Sequence, residues 1–261
     1  MDGRPTTYRS SRERRLELLH LIRDRGELST SNLDAVLDVS LETVRRDLRV
    51  LESQGLVRRA YGRVMPVESG AFETPLAIRS SINPEEKLRI AAATIPWIGP
   101  AEIIFIDEGY TTQLIAQRLP DDRRLTVVTA ALPIASLLAP RPNIQVIMIG
   151  GRVRGNTLGT VDVWAVEMIS RLNVDLAIMG ANAVTLEGGM TTPDPAVAAV
   201  KAAAVQSAAR RIFIGAHHKF GGRTFVRFAE VRDFELLITG RELGSFTASR
   251  FTAAGVQLEL V

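Results

Sequence analysis

Cysteine is absent from the 261 residues. That excludes disulfides, thiol catalysis and cysteine-ligated zinc or iron–sulfur centres, and it fits a reducing, cytoplasmic setting. Histidine is scarce: His20, His217 and His218 are the three, too few for a histidine-rich metal site. The adjacent pair reads as loop residues, so neither a metal nor a cofactor is expected. No apolar run approaches the roughly 18 residues of a membrane-crossing helix. The N-terminal stretch MDGRPTTYRSSRERRLELL lacks the apolar core of a secretory leader. What is there instead is 46% apolar content, enough for a sizeable core, in a length that suits one small and one medium domain.

Charge divides the chain unevenly. Residues 1–66 hold 13 Arg and 10 Asp plus Glu, a net of +3; the remaining 195 hold 19 basic and 19 acidic residues, a net of zero. An anionic polymer is expected to meet the first quarter. A solvated basic tail is the plainer reading of charge alone.

Helical spacing decides between them. A first helix near residues 9–25 places Leu16, Leu19 and Ile22 on one face, with Gly26 as its stop. A second begins near Ser29 or Thr30 and buries Leu33, Val36 and Leu37. After the tight link DVS, Ser40 caps a third helix whose apolar stripe is Leu41, Val44, Leu48 and Leu51, ended by Gly55. At roughly 100° per residue, Arg45, Arg46, Arg49 and Glu42 fall opposite Val44. A helix packed by one face and showing three guanidiniums on the other, entered through a short turn, is a helix-turn-helix. Its second helix enters the DNA major groove, where arginine grips phosphate or pairs bidentately with guanine. Two short strands, 56–60 and 63–67, turn at Tyr61-Gly62 and carry Arg58, Arg59 and Arg63. Such a hairpin is a wing, and its contacts set affinity more than sequence choice. The expected DNA-contacting set is Ser40, Thr43, Arg45, Arg46, Arg49, Arg58, Arg59, Tyr61 and Arg63.

The run RRLELLHLIRDRGELSTSNLDAVLDVSLETVRRDLRVLESQGLVRRAYGRV resembles the winged helix-turn-helix of DeoR-family transcriptional regulators, with VSxETVRRDLxxLExxGLVRR as the specific match. Where that family has Gly-Gly in the wing, this chain has Gly62-Arg63.

Residues 67–83 show no strong period and read as a linker. From residue 84 onward, apolar strand-like runs recur at 102–107, 125–130, 144–151, 176–182, 211–216, 235–240 and 256–261, with helix-like stretches between most of them. That alternation predicts an α/β domain, a mostly parallel sheet covered on both faces, over 84–261. Trp97 and Trp164 read as packing residues on helix faces. Ligands in such folds sit beyond the carboxyl ends of the strands. The loops there are DEGYTT (107–112), TAAL (129–132), GGRVRGN (150–156), GANAV (180–184), EGGMTTPD (187–194) and HHKFGG (217–222). A glycine turn, threonine hydroxyls and a helix N-terminus suit a phosphate.

These loops resemble the sensor domain of the same family, which reads Asp-Ser-Gly-Thr-Thr-Thr, Val-Val-Thr-Asn-Ser, Gly-Gly, Gly-Leu-Thr-Thr-Pro and Ser-Lys-Phe-Gly. The likeness runs from about residue 85 to 240. It implies a fold similar to ribose-phosphate isomerases, a phosphorylated-sugar effector, and a pocket drawn from Asp107, Gly109, Tyr110, Thr111, Thr112, Thr129, Gly150, Gly151, Arg152, Thr191, Thr192, Lys201 and Lys219. The departures are Glu108 for serine, Tyr110 for threonine, Ala130-Ala131 for Asn-Ser, and Ala216 where many members have aspartate.

The resemblance implies a repressor of carbohydrate genes that binds double-stranded operator DNA as a homo-oligomer, dimer or tetramer, with no membrane partner. Two other readings stand beside it. One is a sugar-phosphate isomerase with a DNA-binding head, using Asp107, Asp194 or Lys219 for proton shuttling. The other is an activator, or a sensor that has lost its ligand.

Overall fold

The computed structural model describes residues 10–25, 28–53, 56–60, 62–66, 76–155 and 157–261. Gly26, Gly55 and Tyr61 lie outside them. The chain divides into two compact units, Met1–Ser69 and Gly70–Val261.

In the first unit, helix α1 (Ser11–Arg25) is followed by strand β1 (Leu28–Ser29), a 3-10 turn (Thr30–Asn32), α2 (Leu33–Leu37), α3 (Leu41–Ser53) and the strands β2 (Val57–Ala60) and β3 (Arg63–Pro66). Ser40 caps α3: the Thr43 amide donates to its Oγ at 3.2 Å. The core is Leu18, Leu19, Ile22, Leu33, Leu37, Val44, Leu48, Leu51, Val57 and Val64. A fully buried leucine or valine contributes about 1.5–3 kcal/mol. Three of the expected core residues face outward: Leu16, Val36 and Leu41 are exposed. Leu18, Leu19 and Ile22 centre the buried face of α1, and Leu16 sits roughly 110° from that centre. In the short α2 only the i, i+4 pair Leu33 and Leu37 reaches the core. Strand β1 was not expected; it pairs antiparallel with β3, Leu28 opposite Val64, and makes the wing three-stranded.

The second unit begins earlier than the sequence suggests. The stretch read as linker contains α4 (Leu76–Ser81), too short to show a full amphipathic period. Then come α5 (Pro84–Thr94), β4 (Ile103–Ile106), α6 (Tyr110–Gln117), β5 (Leu125–Thr129), α7 (Leu132–Leu138), β6 (Ile144–Met148), β7 (Arg152–Val153), β8 (Thr160–Val161), α8 (Val163–Ser170), β9 (Val174–Met179), β10 (Ala183–Thr185), β11 (Gly189–Thr192), α9 (Pro195–Gln206), β12 (Ala208–Ile214), β13 (Val226–Ala229), β14 (Leu236–Thr239), α10 (Ser245–Ala253) and β15 (Leu258–Leu260).

The seven apolar runs are the seven strands of one sheet, in order β15-β14-β12-β9-β4-β5-β6, and every pairing is parallel. Alternate residues feed the two faces. Ile104, Ile106, Ile178, Ile212 and Ile214 pack on one side; Phe105, Ala177, Met179 and Phe213 pack on the other. Two additions were not foreseen: an antiparallel sheet β10-β11-β13 and the hairpin β7-β8. Trp164 is 72% exposed, so it is not the packing residue expected of it. Trp97 is partly buried and donates its ring N–H to Glu259 at 2.7 Å.

Candidate nucleic-acid interface and effector site

Packing one face of α3 leaves the other to solvent. Arg45, Arg46 and Arg49 are exposed there. Glu42 pairs with Arg49 at 3.1 Å and approaches Arg45 at 4.0 Å. These partners are exposed, so phosphate can replace the carboxylate at little cost. Arg46 makes no ion pair among the described residues. A groove of about 400 Å³ between α3 and the wing is lined by Arg45, Arg49, Arg59 and Arg63 with Thr30, Leu48 and Gly62. The wing turn is pinned to the 3-10 turn: the Thr30 amide and hydroxyl both donate to the Gly62 carbonyl, each at 3.0 Å. Gly62 has φ +75°, the left-handed region that favours glycine.

Two residues of this face hold structure together. Arg59 donates its amide and Nε to Glu52 at 3.1 and 2.8 Å, docking the wing against the end of α3. That pairing holds the Glu52 carboxyl below its ordinary value. Asp47, not singled out from the sequence, is 1% exposed. It accepts from Arg14 Nε at 2.6 Å and lies 3.8 Å from Arg15, which ties α3 to α1. Its place in the middle of an otherwise basic face was the available signal. Arg58 lies in β2, and Tyr61 falls outside the described residues.

At the carboxyl edge of the parallel sheet, the loops meet as ion pairs and hydrogen bonds. Asp107, at the end of β4, accepts from Lys201 Nζ and from the Gly180 amide at 2.9 Å. Lys201 also donates to the Gly180 carbonyl at 3.2 Å, which joins α9 to β9 and β4. Several expected hydroxyls are engaged by backbone. Thr112 donates to the Gly109 carbonyl at 2.8 Å, Thr129 to Ile106 at 2.8 Å, and Thr191 to Ala183 at 3.2 Å. The Thr192 hydroxyl is fully buried with no hydrogen-bond partner. An unmet buried hydroxyl is what a bound ligand would satisfy. Thr111 is half-buried at the start of α6, and Tyr110 packs on the core with Lys87 Nζ 5.9 Å from its ring centre. Gly150 and Gly151 lead into the β7-β8 hairpin. At Gly151, φ is +133° and an added Cβ would lie 2.4 Å from the Val161 carbonyl oxygen.

Arg152 does not join this cluster. It is exposed and pairs with Asp162 at 2.8 Å. The residue that does join it is Arg154, which sequence reasoning missed. Arg154 is 9% exposed and reaches Glu108 at 3.4 Å, Thr157 at 3.1 Å and Asp194 at 3.2 Å. The two arginines share parity along an extended strand. The chain turns at Arg154, where its amide bonds the Gly159 carbonyl at 2.9 Å, and that turn separates them. The hairpin lies on Ala130 and Ala131: Thr160 donates its amide to the Ala130 carbonyl at 2.7 Å, and Ala131 bridges Gly159. Side chains larger than alanine are not needed there to bind that backbone.

Lys219 sits at the end of β12 in the 3-10 turn His217–Lys219, and β9 separates that strand from Asp107's. His218 is buried beside Asn83, with Nδ1 3.0 Å from its amide nitrogen, and burial lowers its pKa to about 3. His217 Nδ1 lies 2.9 Å from Glu86. Glu86, His217 and Glu242 bring ligand atoms close enough for a metal ion. Their protons and lone pairs are already used, however: Glu86 accepts the His217 and Gly240 amides at 2.7 and 3.2 Å, and Glu242 is paired with Arg89.

A head that presents arginines from a helix and a wing, joined to an α/β domain with charged groups at its strand ends, defines a DNA-binding regulator with a sensor. The sequence matches the DeoR-like helix-turn-helix domain over residues 14–69 and the DeoR C terminal sensor domain over 82–241. The chain belongs to the DeoR family of transcriptional regulators.

Among its relatives, the HTH-type transcriptional regulator GlpR of Haloferax volcanii is 33% identical over 94% of this chain and 95% of its own length. The glycerol-3-phosphate regulon repressor of Haemophilus influenzae is 32% identical over 87% and 88%, and that of Escherichia coli 27% over 93% and 96%. Solved structures resembling the chain include a probable sor operon regulator from Shigella flexneri (11% identity, 77% of this chain, 96% of that one, TM-score 0.43). Another is ribose 5-phosphate isomerase A from Methanocaldococcus jannaschii (14%, 53%, 55%, TM-score 0.39). An isomerase reading is not favoured, since the family is one of regulators. Among the described residues, no helix is long and apolar enough to cross a membrane.

Proposed function

We propose that this chain is a repressor of carbohydrate-metabolism genes that binds operator DNA as a homo-oligomer and lets go when a phosphorylated sugar binds the second unit. The observation that carries the DNA half is the groove between α3 and the wing, lined by four arginines. The expected contacts to DNA are Ser40, Thr43, Arg45, Arg46, Arg49 and Arg63, with Arg59 setting the wing. The effector half is supported by the names of the relatives, two of them glycerol-3-phosphate regulon repressors. Lys201 and Arg154 at the strand ends and the unmet Thr192 hydroxyl support it too. By linkage, the sugar phosphate relieves repression only if it prefers the form that binds DNA poorly.

Footprinting of the region upstream of the chain's own gene tests the repressor reading. The expected result is two protected half-sites about one helical turn apart, or a multiple of it, overlapping the promoter. A single unrepeated site, or protection only far upstream, contradicts it.

A further inference from the structure

We propose that Glu108 is the specificity-determining residue of the effector site: its carboxylate holds the Arg154 guanidinium as an internal competitor for the ligand's phosphate. The inference rests on the phosphorylated-sugar reading and sharpens it.

The argument begins with burial. Arg154 and Glu108 have side chains 9% and 7% exposed. A guanidinium removed from water must be paired and hydrogen-bonded. Here Glu108 Oε1 lies 3.4 Å from it, Thr157 Oγ1 3.1 Å and Asp194 Oδ2 3.2 Å. Thr157 in turn donates to Glu108 Oε2 at 2.8 Å. Three segments meet at one cation: the β4–α6 loop, the β7–β8 hairpin and the start of α9.

The carboxylate also fills its space. A Cβ on Gly159 would lie 1.7 Å from Glu108 Oε2, so the hairpin is bare of side chain where that oxygen sits. Glu108 stands two residues before the first residue of α6, at the positive end of the helix, where an anion is favoured. Guanidinium, a helix N-terminus and a donated hydroxyl are together what a phosphate seeks. Glu108 supplies the anion from within the chain.

Charge decides the consequence. Lys201 and Arg154 face Asp107, Glu108 and Asp194, a net of −1. A phosphate ester carries roughly −1.5 to −2 near neutral pH, so it meets a cation already answered. Asp194 does not block the way: it is 33% exposed, and its other oxygen caps α9 through the Ala196 amide at 2.8 Å. Phosphate therefore reaches Arg154 from that side by displacing Glu108. Phosphate alone binds weakly, and the sugar's own contacts must carry the exchange.

The test is calorimetry on the full chain with inorganic phosphate, glycerol 3-phosphate, ribose 5-phosphate and fructose 6-phosphate. It compares wild type with Glu108→Gln and Glu108→Ser. Gln keeps the shape and the hydrogen bond to Thr157 while removing the charge. The proposal expects at least a tenfold gain in affinity for inorganic phosphate in both variants, abolished when Arg154→Gln is added. Unchanged or weaker phosphate affinity overturns it, as does failure of both variants to fold, which would make Glu108 a folding residue. If the variants gain phosphate while wild type binds no sugar phosphate, the proposal stands and the phosphorylated-sugar reading falls. If wild type binds a sugar phosphate as tightly as the variants do, that reading stands and the proposal falls.

Discussion

Arg46 and Asp47 are neighbours on α3 with opposite fates. Arg46 points to solvent, and Asp47 is clamped by Arg14. Arg46→Ala should weaken operator binding by about 1–3 kcal/mol and leave the fold intact; fluorescence anisotropy beside circular dichroism separates the two. Asp47→Ala should do the reverse. It strands Arg14 beside an apolar hole, and breaking a buried pair costs roughly 3–5 kcal/mol, read as a lowered urea midpoint of the head. His218 offers a pH test in the second unit. Its folded pKa, about 3, lies below its ordinary 6.5 because burial disfavours the charged ring. Stability is therefore full above pH 6.5 and falls as pH drops from 6.5 toward 3, since the unfolded chain takes up the proton first. Replacing it, as in His218→Gln, should flatten the melting-temperature profile over that window; an unchanged slope would remove His218 as its source.

Elements divide into those that a sequence period announces and those that it does not. The seven parallel strands are short, apolar and bounded by helices, so they were legible. The arginine face of α3 was legible too, because a polar arc opposite Val44 needs only the helical angle. Strands β10, β11 and β13 were not, being three or four residues long and drawn from loops rich in glycine and threonine. The effector cluster was half legible. Asp107 and Lys201 could be nominated, but the bond between residues 107 and 201 is tertiary. Arg152 was nominated in place of Arg154 because only the turn of the hairpin tells them apart. That hairpin depends on Gly151. Gly151→Ala adds left-handed strain to a clash with the Val161 carbonyl, and should lower the second unit's stability by at least about 2 kcal/mol. Gly62→Ala, where a Cβ meets nothing within 4 Å, should cost about 1 kcal/mol. Paired thermal melts check the contrast, and equal losses would contradict it.

The whole molecule keeps its excess charge in one place, with +3 within residues 1–66 and zero in the remainder. DNA affinity should thus fall steeply with salt, and each lost phosphate contact should reduce the slope of log K against log salt by about 0.9. Arg63→Ala, in the wing, is expected to do so by about one contact without changing which operator is preferred. The most direct test of the account is fluorescence anisotropy on labelled DNA from upstream of the chain's own gene. Sugar phosphates and their unphosphorylated parents are titrated into the formed complex at fixed salt. The account predicts release by a phosphorylated compound and none by its parent. Tight binding that no sugar phosphate disturbs would contradict it.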